Sequence, residues 1–123
     1  MKEKTLNGSP TNTISRMVED VVGCKWTLTI VQLIREGTCR PGMLERNVEG
    51  LTAKVLNERL RKLVDYGILE RCAFAEIPPR VEYKLTPFGH KFASLLDAIE
   101  ELEAEHRAQT QAANNGMVAS ANT

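Results

Sequence analysis

The sequence has little of what disulfide frameworks, metal sites and membrane spans require. Its 123 residues include three cysteines, Cys24, Cys39 and Cys72, and none of them forms a C-x-x-C pair. An odd number of scattered cysteines predicts neither a zinc site nor a disulfide framework. No apolar run approaches the roughly 20 residues needed to cross a bilayer, and the polar N-terminus has no apolar leader-like segment. We therefore expect a single-domain cytoplasmic protein without a metal or other cofactor and without a membrane partner.

The chain also lacks the residue groupings on which most enzyme sites depend. Its two histidines, His90 and His106, lie sixteen positions apart on one predicted helix, without cysteines or carboxylates at ligand or triad spacing. The glycines are isolated turn and cap residues, which do not form a phosphate-binding loop. These absences argue against an enzyme and leave no candidate catalytic or metal-binding residue.

Net charge is zero, but the charges are unevenly distributed. Residues 1–96 contain 15 lysines and arginines against 11 aspartates and glutamates, whereas residues 97–105 contain five acidic residues and no basic one. A basic body followed by an acidic segment suits a protein that presents one face to a polyanion. Charge therefore supports nucleic-acid binding without requiring it.

The clearest pattern lies between Gly50 and Gly67. Apolar residues recur there at helical spacing and predict an amphipathic helix over residues 52–66, with Thr52 as its N-cap. The opposite side of this helix carries a continuous polar stripe of Lys54, Asn57, Glu58 and Arg61. Such a stripe suits either a solvated surface or a helix that reads a DNA groove. The neighbouring segments have to decide between the two.

Both neighbours favour the DNA-reading alternative. A short apolar helix over residues 43–48 and a tight turn precede the long helix, which is the helix-turn-helix arrangement. Beyond Gly67, two strand-like runs are separated by a loop that contains two prolines, so residues 68–85 predict a β-hairpin wing. Its Arg71, Arg80 and Lys84 can reach a phosphate backbone or a minor groove.

The two ends of the chain indicate a second copy. We expect residues 1–13 to be a flexible arm, residues 14–22 and 87–107 to be helices, and residues 108–123 to be disordered. The last helix carries more apolar surface than a small domain needs, which is typical of a helix that packs against another copy of itself. The predicted dimer interface consists of apolar residues of these two helices: Ile14, Met17, Val18, Phe92, Leu95, Leu96, Ile99 and Leu102.

Three segments, VVGCKWTLTIVQLIREG, GLTAKVLNERLRKLVDYGILER and IPPRVEYKLTPFGH, resemble the HxlR-type family of transcription regulators, which is related to the MarR group. The resemblance covers about residues 14–105, and P-P-R-V-E-Y-x-L-T is its most distinctive part. It implies a mostly α-helical winged helix-turn-helix domain over residues 14–107 with a small β-hairpin wing. It also implies a homodimer that binds a palindromic or pseudopalindromic operator in double-stranded DNA, with the reading helix in the major groove and the wing on the backbone or minor groove.

The resemblance also assigns candidate DNA contacts. They are the outward residues of the reading helix and two cations of the wing: Thr52, Ala53, Lys54, Asn57, Glu58, Arg61, Arg80 and Lys84. Asn57 suits adenine, whereas Lys54 and Arg61 suit guanine or phosphate. Glu58 is either a cytosine contact or a solvated charge. A winged-helix module that binds another protein, without specific DNA binding, is the alternative function.

Two cysteines are candidate redox sensors. Many members of the family carry a sensing cysteine about thirteen residues before the tryptophan, but this chain has Thr13 there. Cys24 lies near a predicted helix N-terminus and next to Lys25, which favours an acidic, reactive thiol; a small buried residue is the alternative. Cys39, beside Arg40, is the second candidate. The sequence does not identify a small-molecule or oxidant effector.

Overall fold

The computed structural model describes residues 10–122 of the chain and the side chains of residues 13–115. Over these residues the elements are, in order, α1 (Pro10–Val22), α2 (Lys25–Arg35), α3 (Pro41–Asn47), α4 (Ala53–Asp65), β1 (Leu69–Phe74), β2 (Arg80–Leu85) and α5 (Pro87–Asn122). They divide into two compact units, Met1–Phe92 and Ala93–Thr123.

The first unit is a helical domain with an attached hairpin. Helix α1 packs on α2, α3 packs on α4, and strand β2 packs on both α2 and α3, while β1 packs on α4. The core consists of side chains that are almost fully buried, including Val21, Ile30, Val31, Leu44, Leu56, Leu60, Leu63, Ile68 and Leu69. Burial of each such side chain is worth roughly 1.5–3 kcal/mol, so these contacts hold the elements together.

Local signals set the ends of α4. The Thr52 hydroxyl accepts a hydrogen bond from the Val55 N–H at 3.2 Å, which caps the helix as the sequence predicted. At the other end Gly67 adopts a φ of +79°, a left-handed conformation that stops the helix at little steric cost. Gly50 has a φ of +83° and forms the turn from α3, so the predicted helix-turn-helix is present.

The wing is an antiparallel two-stranded sheet in which Leu69 pairs with Leu85 and Phe74 pairs with Arg80. Thr86 closes its base, because its N–H donates to the carbonyl oxygen of Ile68 at 3.0 Å. The hydroxyl of Thr86 also accepts a hydrogen bond from the Gly89 N–H at 2.8 Å. A further backbone bond of 2.8 Å runs from the Tyr83 N–H to the Cys39 carbonyl and fixes the hairpin to the segment between α2 and α3.

The helical ends differ from the sequence-based expectation. Helix α1 begins at Pro10 instead of Ile14, because proline suits the first turn of a helix; residues 1–9 of the predicted arm lie outside the described residues. Helix α5 does not end at residue 107 but continues to Asn122, so residues 108–122 are helical rather than disordered. Alanine and glutamine favour this extension even though residues 100–115 are all exposed.

None of the helices is apolar enough over a sufficient length to cross a membrane, in the part of the chain that the structure describes. Across those same residues no three His, Cys, Asp or Glu side chains come together as a metal-binding group.

Candidate nucleic-acid interface

Helix α4 carries apolar side chains on one face and polar side chains on the opposite face. Leu56, Leu60 and Leu63 are at most 2% exposed and face the core. The polar stripe defined above, Lys54, Asn57, Glu58 and Arg61, is exposed along its whole length, as are Thr52 and Ala53 at the N-terminal end. The structure therefore brings all six predicted helix contacts to the surface of one helix.

The stripe forms one wall of a groove of about 740 Å³, and the wing forms the other wall. Arg71 of β1 and Tyr83 of β2 line the groove from the wing and lie opposite each other in the ladder. Arg71 is predicted from the sequence as a phosphate or minor-groove contact, whereas Tyr83 is not predicted to lie at the site. Arg71 and Tyr83 lie on the same face of the hairpin because the strand register pairs them. The alternation of residues along each strand does not by itself determine this register.

The groove carries an excess of positive charge on the helix and wing walls. Lys54, Arg61 and Arg71 contribute three cations, and Glu58 and Asp65 contribute two carboxylates. Guanidinium and ammonium groups bind phosphate oxygens and guanine edges, and the amide of Asn57 is suited to adenine. A groove with this donor set can take a DNA backbone while the stripe contacts base edges.

Arg80, a predicted DNA contact of the wing, interacts with other side chains of the wing. Its guanidinium pairs with Glu76 at 2.8 Å and with Glu82 at 3.1 Å. The guanidinium carbon also lies 4.1 Å from the centroid of the Phe74 ring. Two carboxylates and an aromatic face therefore already contact Arg80, and the nearby negative charge reduces the attraction that its guanidinium offers to phosphate. Lys84 of the same strand is exposed, so it is the wing cation with the freer approach.

A polar cluster joins α1 to the C-terminal end of α4. The Tyr66 hydroxyl donates a hydrogen bond to the Asp20 carboxylate. The ammonium of Lys62 lies 3.2 Å from the same carboxylate. The hydrogen bond from Tyr66 holds the pKa of Asp20 below its ordinary value in spite of partial desolvation, and Lys62 and Arg16 act in the same direction. The same hydrogen bond raises the pKa of Tyr66.

Cys24 occupies the N-cap position of α2 and is partly buried. Burial alone would raise the pKa of its thiol. The Thr27 hydroxyl and backbone N–H and the charge of Arg59 outweigh burial and lower the pKa of Cys24 below the ordinary value for cysteine. Cys39 is also partly buried, in the segment between α2 and α3.

The predicted dimer residues fall into two groups. Met17, Phe92 and Leu96 are 6%, 3% and 1% exposed in the single chain, so they offer little surface to a second copy. Their apolar surface is already covered within the protomer. The others keep apolar surface at the exterior: Ile14, Val18, Leu95, Ile99 and Leu102.

A helix-turn-helix followed at once by a β-hairpin defines the winged helix-turn-helix class of DNA-binding domains. The sequence model of the HxlR-like helix-turn-helix family matches residues 21–111, and the chain belongs to that family. The resemblance stated from the sequence is thereby confirmed. The family and the relatives below are transcriptional regulators and not enzymes.

Several known regulators are similar to this chain in sequence. The HTH-type transcriptional regulator YtfH of Escherichia coli K12 is 41% identical over 90 residues, which are 70% of this chain and 71% of YtfH. The regulator sll1512 of Synechocystis is 36% identical over 88 residues, 72% of this chain but 65% of that protein.

Among solved structures, a MarR-family transcriptional regulator of Enterococcus faecalis V583 has a TM-score of 0.71 and 35% identity, covering 85% of this chain and 94% of that one. The redox regulator HypR in its oxidised form has a TM-score of 0.64 and 28% identity, covering 74% of this chain and 94% of HypR.

Proposed function

We propose that this chain is a homodimeric transcriptional regulator that binds a palindromic or pseudopalindromic operator. Helix α4 enters the major groove and the wing lies on the backbone or in the adjacent minor groove. The observation that carries the proposal is the exposed polar stripe of α4, which lines one groove together with Arg71 of the wing. A helix with one buried apolar face and one exposed donor-rich face has the form that major-groove reading needs.

The exposed apolar residues support a dimer. Leu102 is 66% exposed, Leu95 is 40% exposed and Ile14 is 39% exposed. On α5, Ile99 and Leu102 line a shallow hollow of about 390 Å³ together with Glu103, His106 and Arg107. A second copy that covers these side chains would remove apolar surface from water and present two reading helices to one operator.

The test is selection of bound DNA from a random pool at two salt concentrations, followed by affinity measurements on the selected site. We expect a two-fold symmetric site whose log K falls linearly with log salt. In the Lys54→Ala, Arg61→Ala double variant the slope should fall by about 0.9 for every phosphate that the protein no longer neutralises. Affinity should fall by at least about tenfold at moderate salt, because a base contact by either side chain is worth about 1–3 kcal/mol.

A matched control removes two exposed cations from another element, Lys25 and Arg35 of α2. The Lys25→Ala, Arg35→Ala variant should keep the slope and the selected sequence. An unchanged operator affinity in the α4 double variant would show that α4 is not the reading helix. If no DNA is selected and a stable complex with another protein is found instead, the protein-interaction alternative is correct.

We further propose that Cys24 is the thiol through which an oxidant acts on this regulator. The lowered pKa of Cys24 and the similarity to the redox regulator HypR support this proposal. A peroxide would oxidise the Cys24 thiolate to a sulfenate and would itself be reduced to water. The resulting change at the start of α2 would then alter operator affinity.

The thiol proposal is tested by measuring operator affinity before and after peroxide treatment. We expect the wild type to respond, Cys24→Ser to lose the response, and Cys39→Ser to retain it. Iodoacetamide labelling followed by mass spectrometry should modify Cys24 at a lower pH than Cys72. A response that survives in Cys24→Ser and disappears in Cys39→Ser would move the sensing role to Cys39.

A further inference from the structure

The polar cluster of Asp20, Lys62 and Tyr66 joins two elements with different tasks. Asp20 lies near the end of α1, whereas Lys62 and Tyr66 lie at the C-terminal end of the reading helix. One carboxylate takes both the hydrogen bond from Tyr66 and the ion pair from Lys62. These partners are 42 and 46 positions from Asp20 in the sequence, so the cluster is a tertiary contact.

The cluster is a mechanical contact and not a ligand site. The cavity beside it is about 10 Å³ and is lined by Val21, Thr27 and Leu63 in addition to the cluster and Arg59. This volume is at the lower limit for a single water molecule, so a small-molecule effector has no room there. The carboxylate is also satisfied from two directions, and a charge-assisted pair of this kind restricts both orientation and distance.

Helix α1 packs on α2, and its buried Val21 lines the same small cavity as Leu63 of α4. The cluster adds a directional polar contact between α1 and the C-terminal end of α4, so it contributes to the angle between these two helices. Helix α1 also carries Ile14, an exposed apolar residue of the proposed dimer interface. The contact thus lies between a surface that would meet the second protomer and the helix that would meet DNA.

We infer that Asp20 is a positioning residue for DNA recognition, which acts through Lys62 and Tyr66 to set the angle between α1 and the reading helix. The inference rests on the proposed function. In a dimer that forms through α1, this angle determines the distance between the two reading helices. Half-sites must match that distance, which is about 34–36 Å for adjacent major grooves on one face of DNA. Asp20 therefore sets which half-site spacing is preferred, while the stripe on α4 sets which bases are read.

The experiment measures affinity for a series of operators that have identical half-sites and different spacers, together with affinity for a single half-site. We expect the wild type to prefer one spacing. In Asp20→Ala the preference for that spacing over its neighbours should fall by about tenfold, as expected for loss of one hydrogen bond to a charged group. Affinity for the single half-site should stay within about twofold, because no base-contacting side chain changes.

Tyr66→Phe provides a second, milder variant that removes only the hydroxyl donor and leaves the ring in place. It should weaken the spacing preference in the same direction and to a smaller extent. The matched control is Glu19→Ala, which deletes one carboxylate from the adjacent exposed position of α1. The control should retain the wild-type preference.

The outcomes distinguish failure of this inference from failure of the proposed function. A wild-type chain that selects no DNA would overturn the proposed function and this inference with it. If Asp20→Ala and Tyr66→Phe both keep the spacing preference of the wild type, only the inference about Asp20 is overturned. An equal loss of affinity at every spacing, including the single half-site, would also overturn it, because it would show a purely structural role for the cluster.

Discussion

Gly89 is the position at which a single methyl group should report most directly on the packing of the wing. A Cβ at Gly89 would lie 2.0 Å from the carbonyl oxygen of Ile68 and 3.2 Å from a methyl carbon of Leu85. The carbonyl cannot easily retreat, because it accepts the hydrogen bond from the Thr86 N–H that closes the base of the hairpin. Gly89→Ala must therefore either break that bond or displace the first turn of α5.

The magnitude follows from these contacts. Loss of the hydrogen bond costs about 0.5–1.5 kcal/mol, and overpacking costs about 1–3 kcal/mol. The higher helix propensity of alanine returns about 1 kcal/mol. We expect a net decrease of about 1–3 kcal/mol in the free energy of unfolding. At about 4 °C for each kcal/mol, this decrease corresponds to a fall in Tm of about 4–12 °C.

Gly42 provides a control with the opposite expected sign. It is also helical, but a Cβ there would meet only the flexible end of Arg46, at 3.8 Å. Gly42→Ala should therefore raise the free energy of unfolding by about 0.5–1 kcal/mol through helix propensity. Thermal unfolding followed by circular dichroism measures both variants. A Gly89→Ala variant as stable as the wild type would refute this packing of the wing. If Gly42→Ala loses as much stability as Gly89→Ala, the loss in Gly89→Ala cannot be attributed to the contact with Ile68.

Three further predictions concern charge and assembly. The pKa of Asp20 is lowered in the folded protein. Its contribution to stability is therefore present above the pKa of the unfolded state and is lost as pH falls through the pKa of the folded state. The difference in urea midpoint between wild type and Asp20→Asn should shrink below about pH 4. Arg80→Ala should lower the free energy of unfolding by about 1 kcal/mol, whereas Lys84→Ala should change it by less than about 0.5 kcal/mol, as measured by urea titration. Leu102→Glu should yield monomers in sedimentation experiments with an unaltered circular-dichroism spectrum, and a persistent dimer would place the interface elsewhere.

Features that depend on neighbouring residues in the sequence were predictable. The apolar period of α4 gives its buried face, and Thr52 and Gly67 mark its ends, so the reading helix could be placed to within a residue. The hairpin was equally readable because two prolines interrupt two strand-like runs. The fold class follows from the order of these elements.

Features that depend on distant residues were not predictable. Nothing near Asp20 in the sequence indicates Tyr66 as a partner, because the contact needs the assembled helices. Arg80 stays a predicted DNA contact, because a guanidinium suits phosphate. Its contacts with Glu76, Glu82 and Phe74 depend on the hairpin geometry and could not be read from the sequence. The extension of α5 beyond residue 107 was not predicted because this segment has no apolar residues at helical spacing. Alanine and glutamine favour its helical structure instead.

The division of α4 into a buried face and an exposed face has a consequence for the evolution of this chain. Leu56, Leu60 and Leu63 hold the helix in place, whereas the stripe from Lys54 to Arg61 contributes little to the core. Under the proposed function, substitutions in the stripe can change the recognised sequence without unfolding the domain. A few mutations would then redirect one scaffold to new operators, and a gene duplicate could acquire separate targets while it keeps the same fold.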